Sequence, residues 1–327
     1  MNISKSMFKN FSRCKNFVSL FDMYMYKNAH HIKTIDDVDV RKLNEDINNI
    51  AEGMFSEENE KAMEIFSEMF DDETGEDLTK TSNAQLEAYA NAFKEVEILA
   101  GGYIKQHFSG NVVFASDTKS QKRFEYNCNN NKYYCYLDIY VEKENGETLI
   151  FEVKSTTSNK FYELGKKIIK DDSDAIVYTK KRHKFESIFG INANGFLQLK
   201  EETGEELFKE YETKRKKVFD RYDKAGKYIY DIAVQRYFIE NALIQNGEIE
   251  KANKTKYYLL VLNGDYVFDG KYEDGKPVYD TNLDGEELFS IIDVNTITKE
   301  YMPIIDSERK QIEDKINERA ISKYVVG

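Results

Sequence analysis

Apolar residues recur at intervals of about 3.6 positions along several stretches of the chain, the spacing that places side chains on one face of a helix. The spacing is clearest in two groups: Met63, Ile65, Phe66, Met69 and Phe70, and Leu86, Tyr89, Phe93, Val96 and Leu99. Helices are predicted over residues 3–27, 36–70, 83–107, 228–245 and 296–322, with Gly101-Gly102 interrupting the third, Gly247 ending the fourth and Pro303 near a break in the last.

Short runs of β-branched and aromatic residues predict strands between these helices. They lie at Val112–Phe114, Arg123–Tyr126 and Tyr257–Leu262, and a hairpin is formed by residues 133–141 and 149–155, with a second hairpin predicted around Gly270 and Gly275. Strands mixed with helices, in 327 residues of which 41% are hydrophobic, predict an α/β protein with a large core, built as one elaborated domain or two.

The hairpin at residues 133–155 carries charged side chains within apolar strands. Asp138 follows Tyr136 and Leu137, and Glu152 and Lys154 alternate with Phe151 and Val153. Buried strands do not carry charges without compensation. Two explanations follow from the residues: a functional site, or an edge hairpin with one solvated face.

The length of the hairpin loop decides whether the acidic residues meet. A two-residue loop at Asn145-Gly146 places Asp138 opposite Val153, on the wrong face. A three-residue loop, Glu144-Asn145-Gly146, pairs Lys143 with Glu147 and places Asp138 opposite Glu152. We predict the three-residue loop, because glycine suits the left-handed conformation at its last position.

Two facing carboxylates provide hard oxygen ligands. Cross-strand partners have Cβ atoms roughly 4.5–5.5 Å apart, which allows Asp138 and Glu152 to share one magnesium or manganese ion. Lys154 is on the same face as Glu152, where it is expected to orient a water molecule or to stabilise charge on a phosphate. The pattern therefore predicts a metal-dependent nuclease site with Asp138 and Glu152 as metal ligands.

These residues resemble a known family pattern. Asp138, thirteen intervening residues and Glu152-Val153-Lys154 are similar to the D…(D/E)xK core of PD-(D/E)xK nucleases. Tyr230–Glu240 resembles the helix that carries a Gln-centred motif in the RecB-like branch. The N-terminal Ile3–Phe8, followed by Cys14, is similar to the opening of CRISPR-associated RecB-like exonucleases. It is also similar to that of uncharacterised bacterial proteins that join a RecB-like domain to an RNase H-like domain.

The resemblance implies an activity and a set of roles. We expect hydrolysis of DNA phosphodiester bonds, at ends or in single strands, with Asp138, Glu152, Lys154 and Gln235 as catalytic residues. Gln235 is expected to contact the DNA backbone. The family often has a Tyr four residues after this Gln; that position is Ile239 here, and Tyr237 is the nearby aromatic residue expected to contact DNA.

The resemblance also implies a domain organisation. We expect a single elaborated nuclease-like domain over residues 1–327, with a restriction-endonuclease-like core in which helices flank a central mixed sheet. Its parts are an N-terminal helical part at 1–107, the α/β core at 108–158 and 227–295, an inserted helical arm at 159–226 and a C-terminal helix at 296–327. The charged pattern from Glu201 to Tyr222 suggests the long helix of the arm.

Cysteine content changes the expected cofactor. The relatives often hold an iron–sulfur cluster with one N-terminal and three later cysteines, whereas this chain has only Cys14, Cys128 and Cys135. An iron–sulfur cluster is therefore not expected. The RNase H-like domain is also missing, and a protein partner is expected to supply it.

Charge and targeting signals add the expected partner and location. The net charge of −12 is unfavourable for binding nucleic acid, but basic residues gather in runs at 180–184 and 214–217. Lys181 and Arg182 of the first run are expected to contact DNA; the second run is expected to be a solvated helix face. Irregularly spaced cysteines, no signal peptide and no membrane span predict a cytoplasmic protein.

Two questions stay open at the level of sequence. Related nucleases often use an upstream helical His or Glu as an added metal ligand, and the candidates here are Glu57, Glu58, Glu60 and Glu64; His30-His31 is expected to be a surface pair at a helix end. The alternative function is a catalytically inactive module that binds nucleic acid or acts as a scaffold and keeps the nuclease fold. Net acidity, the missing cysteines and the absence of Tyr at position 239 favour this alternative, and the complete Asp138, Glu152 and Lys154 set favours the enzyme.

Overall fold

A computed structural model describes residues 1–13, 18, 83–114, 121–162, 164, 168–170, 176–178, 187–201 and 208–322. The helices are α1 (Lys5–Arg13), α2 (Asn83–His107), α3 (Asn159–Tyr162), α4 (Phe208–Val218), α5 (Gly226–Gln245), α6 (Ile249–Lys254) and α7 (Asn295–Ser322). The first strands are β1 (Asn2–Ser4), β2 (Asn111–Phe114), β3 (Lys122–Cys128), β4 (Asn131–Leu137), β5 (Ile139–Glu142), β6 (Thr148–Thr157) and β7 (Ile168–Lys170). The remaining strands are β8 (Ile176–Tyr178), β9 (Phe189–Ile191), β10 (Leu197–Leu199), β11 (Thr255–Leu262), β12 (Tyr272–Glu273), β13 (Lys276–Pro277) and β14 (Phe289–Asp293).

A seven-stranded mixed sheet organises the described part of the chain. Its strand order is β2-β5-β6-β11-β14-β10-β9. The pairs β6/β11 and β10/β14 are parallel, and the other neighbours are antiparallel. Helices flank this sheet, so the prediction of an α/β fold with a central mixed sheet is confirmed at that level.

Side chains of β6 alternate between the two faces of the sheet, as the pleat requires. Leu149, Phe151 and Val153 join a hydrophobic cluster with Ala100 and Ile104 of α2. Ile150 joins the larger cluster on the other face, which contains residues of α1, α5 and α7. Glu152 and Lys154 therefore point toward the face that α5 covers.

The prediction of one continuous strand over residues 133–141 is wrong. It divides at Asp138 into β4, which pairs with β1 and β3 in a separate three-stranded sheet, and β5, which pairs with β2 and β6. The Asp138 carboxylate accepts a hydrogen bond from the Val153 backbone N–H at 2.9 Å. A side chain thus takes a place that a neighbouring strand would otherwise fill, and the chain bends from one sheet to the other.

Two helix predictions also need correction. The stretch predicted as a helix from residue 3 begins with β1, and α1 starts only at Lys5, where the Ser4 hydroxyl accepts a hydrogen bond from Met7 N–H at 3.1 Å. Residues 159–226 contain two strand pairs, β7/β8 and β9/β10, in addition to α3 and α4. Buried side chains at Phe189, Leu197 and Leu199 attach β9 and β10 to the main sheet.

Other elements agree with their predicted positions. The helices predicted at 83–107, 228–245 and 296–322 correspond to α2, α5 and α7, and Pro303 lies inside α7 rather than at a break. The strand predicted at Tyr257–Leu262 lies within β11. The helix predicted at 36–70 lies outside the described residues. Among the helices of the described ranges, none has the length and apolar character needed to cross a membrane.

Candidate functional site

The turn between β5 and β6 has the predicted three-residue form. Lys143 N–H donates to the Glu147 carbonyl at 2.9 Å, and Gly146 N–H donates to the Lys143 carbonyl at 3.0 Å. Gly146 has φ +78°, which glycine adopts without steric cost. The strand pairs run from Glu142 with Thr148 to Ile139 with Phe151, and one further step places Asp138 across from Glu152. The predicted register is confirmed.

Glu152 and Lys154 are buried rather than solvated. Their exposed fractions are 2% and 4%, and Lys154 Nζ lies 3.0 Å from Glu152 Oε1. The explanation of an edge hairpin with a solvated face is therefore wrong for these two residues. Asp138 is half-buried at the point where β4 gives way to β5.

Helices α1 and α5 add three charged side chains to these residues. Lys5 Nζ donates to Glu152 Oε1 at 2.6 Å and to Asp231 Oδ2 at 3.2 Å. Lys9 Nζ donates to Asp231 Oδ1 at 2.5 Å, and Lys154 Nζ lies 2.9 Å from Asp231 Oδ2. We call Asp138, Glu152, Lys154, Asp231, Lys5 and Lys9 the charged cluster.

Three members of the charged cluster were missed from sequence. Lys5 and Lys9 are four positions apart, so they lie on one face of α1. Asp231 precedes Gln235 by four positions and shares a face of α5 with it. An acidic residue between the apolar pairs Ile229-Tyr230 and Ile232-Ala233, one turn before Gln235, was the available signal for Asp231.

Gln235 is completely buried in α5. Its Nε2 donates to the Tyr136 carbonyl at 3.0 Å, and Tyr136 lies two residues before Asp138. The Gln235 amide therefore holds the end of β4 that leads into the charged cluster. Its Oε1 is buried and has no hydrogen-bond partner among the described residues.

Tyr237 lies apart from the charged cluster. Residues two positions apart on a helix point in roughly opposite directions, and Tyr237 faces α7. Its hydroxyl donates to Asp306 Oδ1 at 2.7 Å and accepts a hydrogen bond from Arg309 Nε at 3.0 Å. The ring is 7% exposed, so this geometry shows a packing and hydrogen-bonding role.

Several predicted site residues lie outside the described residues. These are Lys181 and Arg182 of the basic run, and the candidates for an additional metal ligand, Glu57, Glu58, Glu60 and Glu64. The roles of these residues stay predictions.

The charged cluster separates the protonation behaviour of its two most buried carboxyls. Burial is the main cause that raises the pKa of Glu152 to about 7; the nearby Asp138 carboxylate acts in the same direction, and Lys5 and Lys154 act against it. Burial acts in the same direction on Asp231, but Lys154, Lys5 and Lys9 outweigh it and hold the pKa of Asp231 well below its usual range. Asp231 is thus the permanent anion of the cluster.

Two carboxylates of the cluster offer oxygen atoms, the kind of ligand that a divalent magnesium or manganese ion takes. Glu152 Oε2 is buried and has no hydrogen-bond partner among the described residues, so it has an acceptor position to offer. Asp138 lies one residue before β5, at the position that would continue the pairing to Glu152. Within the described ranges no group of three or more His, Cys, Asp or Glu side chains is arranged to hold a metal. Asp138 and Glu152 are the two members of the cluster that could hold such a cation together with water molecules.

Two cavities lie away from this cluster. One, of about 540 Å³, is bounded by Leu199, Tyr211 and Ile297 among others. The other, of about 890 Å³, opens over the opposite face of the sheet and is bounded by Phe108, Tyr258 and others. Neither is lined by a member of the charged cluster, so the candidate site is a buried polar centre rather than the floor of these cavities.

Comparisons of the chain with protein-family models, with curated proteins and with solved structures found no match in any of the three.

Proposed function

We propose that this protein is a metal-dependent deoxyribonuclease of the PD-(D/E)xK type, RecB-like branch. The observation that carries the proposal is the register of the β5/β6 hairpin. This register places Asp138 opposite Glu152 and puts Lys154 on the same face as Glu152. The unpartnered Oε2 of Glu152 adds a donor atom at the same position.

The topology around the hairpin supports a restriction-endonuclease-like core. β2, β5 and β6 form an antiparallel meander, and β11 returns parallel to β6 after α5. This crossover puts α5 on the face to which Glu152 and Lys154 point, so a helix residue, Asp231, reaches the hairpin. The core that we propose consists of this meander, α5 and β11.

The proposed roles follow from chemistry and position. A magnesium or manganese ion held by Asp138 and Glu152 would polarise a phosphoryl oxygen and lower the pKa of a bound water molecule. Lys154 is held between Glu152 and Asp231. Its positive charge would stabilise the negative charge of the attacking hydroxide or of the phosphate. Gln235 keeps the β4 end in position through the Tyr136 carbonyl. The proposed substrate is DNA, at ends or in single strands.

One observation favours a second candidate, a non-catalytic module with a nuclease fold. In the charged cluster, three lysines already form ion pairs with Glu152 and Asp231, so these two buried carboxylates have counter-charges without a metal. Such a cluster resembles a buried ion-pair network that serves conformational specificity. In this candidate the fold binds nucleic acid or a protein partner and does not cleave.

A cleavage assay distinguishes the two candidates. Linear duplex and single-stranded DNA are incubated with the full chain and magnesium or manganese, and with EDTA as the metal-free control. We expect metal-dependent cleavage that Lys154→Met lowers by about a hundredfold or more, because the charge at the reacting phosphate is lost. Asp138→Asn and Glu152→Gln are expected to lower it at least as much.

Lys251→Met is the matched control for Lys154→Met. Lys251 pairs with Glu142 at the surface, and its removal should leave cleavage unchanged. Equal cleavage by the wild type and Lys154→Met would overturn the nuclease proposal. Absence of cleavage with every metal and substrate would favour the non-catalytic candidate.

A further inference from the structure

Lys5 bridges the two buried carboxylates of the charged cluster. Its ammonium lies 2.6 Å from Glu152 Oε1 and 3.2 Å from Asp231 Oδ2, and its side chain is 11% exposed. The same Glu152 carboxylate is one of the two proposed metal ligands. The positive charge nearest to Glu152 is therefore a side chain from the N-terminal helix α1.

Positive charge already surrounds the Glu152 carboxylate. The ammonium groups of Lys5 and Lys154 lie 2.6 Å and 3.0 Å from Glu152 Oε1, and both also contact Asp231. A divalent cation on Glu152 would add two positive charges beside these ammonium groups in a buried place, which is strongly unfavourable. We therefore expect one ammonium group to move away from Glu152 when a divalent cation binds.

The contacts indicate which ammonium moves. Lys9 contacts Asp231 but is not within ion-pair distance of Glu152. Lys154 is on the same strand as Glu152, and only 4% of its side chain is exposed, so its ammonium has little room to leave. Lys5 extends from α1, and its side chain is the more exposed of the two lysine side chains that contact Glu152. Its ammonium already has a second acceptor in Asp231.

We propose that the Lys5 ammonium occupies the cation position at Glu152 and exchanges with a divalent metal ion, and that Asp231 receives the displaced ammonium. The metal part of this inference rests on the proposed function. Lys5 and Asp231 are thus positioning residues: Lys5 sets the affinity of the site for metal, and Asp231 keeps the displaced charge paired. The N-terminal segment becomes part of the site.

Manganese binding to the full chain tests the exchange directly. Free Mn²⁺ is measured by electron paramagnetic resonance during titration of the wild type, Lys5→Met, Lys5→Gln and Lys9→Met. We expect Lys5→Met and Lys5→Gln to bind Mn²⁺ at least about tenfold more tightly than the wild type, because the competing charge is gone. Lys9→Met removes the same charge from the same cluster without uncovering Glu152, and its effect should be clearly smaller.

Three results would overturn the proposal. The first is equal or weaker Mn²⁺ binding by both Lys5 variants, including no binding by any protein. The second is an equal gain in Lys9→Met, which would show a general charge effect. The third is tight binding that survives Glu152→Gln in the Lys5→Gln background. Circular dichroism identifies any variant that does not fold, and the second Lys5 variant then decides.

The outcome separates this inference from the proposed activity. Tighter Mn²⁺ binding by the Lys5 variants without DNA cleavage would support the exchange and contradict the nuclease proposal. Metal-dependent cleavage by the wild type with unchanged Mn²⁺ affinity in both Lys5 variants would support the nuclease proposal and contradict the exchange.

Discussion

Buried charges are the defining feature of this protein at the scale of single residues. Glu152, Lys154 and Asp231 are each less than 5% exposed, in a region otherwise packed with apolar side chains. Each has at least two partners of opposite charge within about 3 Å. Such charges are tolerated only when each one is paired, so removal of one member leaves its buried partners without a counter-charge.

Asp231→Asn tests this dependence on stability. The substitution leaves three ammonium groups without their common anion, and we expect the free energy of unfolding to fall by about 3–5 kcal/mol. Urea unfolding followed by circular dichroism measures the change. Glu142→Gln breaks the exposed ion pair with Lys251 and should cost less than about 1 kcal/mol. Equal losses in the two variants would contradict the paired-set interpretation.

Asp306 predicts a dependence of stability on pH. Hydrogen bonds from Lys310 and Tyr237, together with Arg309, lower the pKa of Asp306 from 3.8 to about 2. A carboxyl with a lowered pKa stabilises the folded state above its unfolded pKa, and this contribution is lost as the pH falls through the folded pKa.

Asp306→Asn should therefore be less stable than the wild type at about pH 5, with a difference that shrinks toward about pH 3. Urea unfolding of both proteins across this range provides the comparison. A difference that stays constant or grows on acidification would contradict the assignment.

The residue scale also shows how far sequence can predict the site. Asp138, Glu152 and Lys154 could be placed on one face because hairpin register depends on a short local segment and on the glycine at its turn. Lys5 and Asp231 could not, because they are separated from Glu152 by 147 and 79 positions. Only tertiary packing of α1 and α5 brings them to the hairpin.

At the scale of elements, α2 shows how two adjacent glycines can differ. Gly101 and Gly102 lie inside α2, where glycine weakens a helix by roughly 0.5–1 kcal/mol relative to alanine. A Cβ at Gly101 would lie 2.0 Å from the Phe114 ring, whereas a Cβ at Gly102 would meet no atom within 4 Å. Close packing of α2 on β2 therefore requires the first glycine but not the second.

Alanine at the two positions should have opposite effects. We expect Gly101→Ala to destabilise the protein by roughly 1–3 kcal/mol, because the Phe114 ring must shift. Gly102→Ala should stabilise it by roughly 0.5–1 kcal/mol through helix propensity alone. Thermal unfolding of the two variants makes the comparison, and a change of the same sign in both would contradict the placement of α2 on β2.

Local sequence patterns predicted the positions of helices and strands better than they predicted which strands pair. α2, α5, β11 and α7 follow from periodicity and from the residues at their ends. The separation of β4 from β5 at Asp138 was not predictable, because a run of apolar residues does not reveal which sheet each half joins. β10 was missed for a similar reason, since its parallel partner β14 is about ninety positions away.

At the scale of the whole molecule, the mixed sheet separates two hydrophobic clusters. The larger lies with α1, α5 and α7, and the smaller lies with α2. The charged cluster is on the side of the larger one, so its polar groups are enclosed by the protein's main core. The α/β class was predictable from composition and the order of elements. The face of the sheet on which the charged cluster lies was not, because it depends on the crossover through α5.

The wide separation of the cluster's members along the chain has a consequence for synthesis. Ribosomes deliver Lys5 first, the hairpin residues much later and Asp231 later still. A growing chain that ends before α5 holds Glu152 and Lys154 without their common anion. The complete centre can form only after synthesis has passed α5, so the order of translation itself keeps shorter chains free of a finished site.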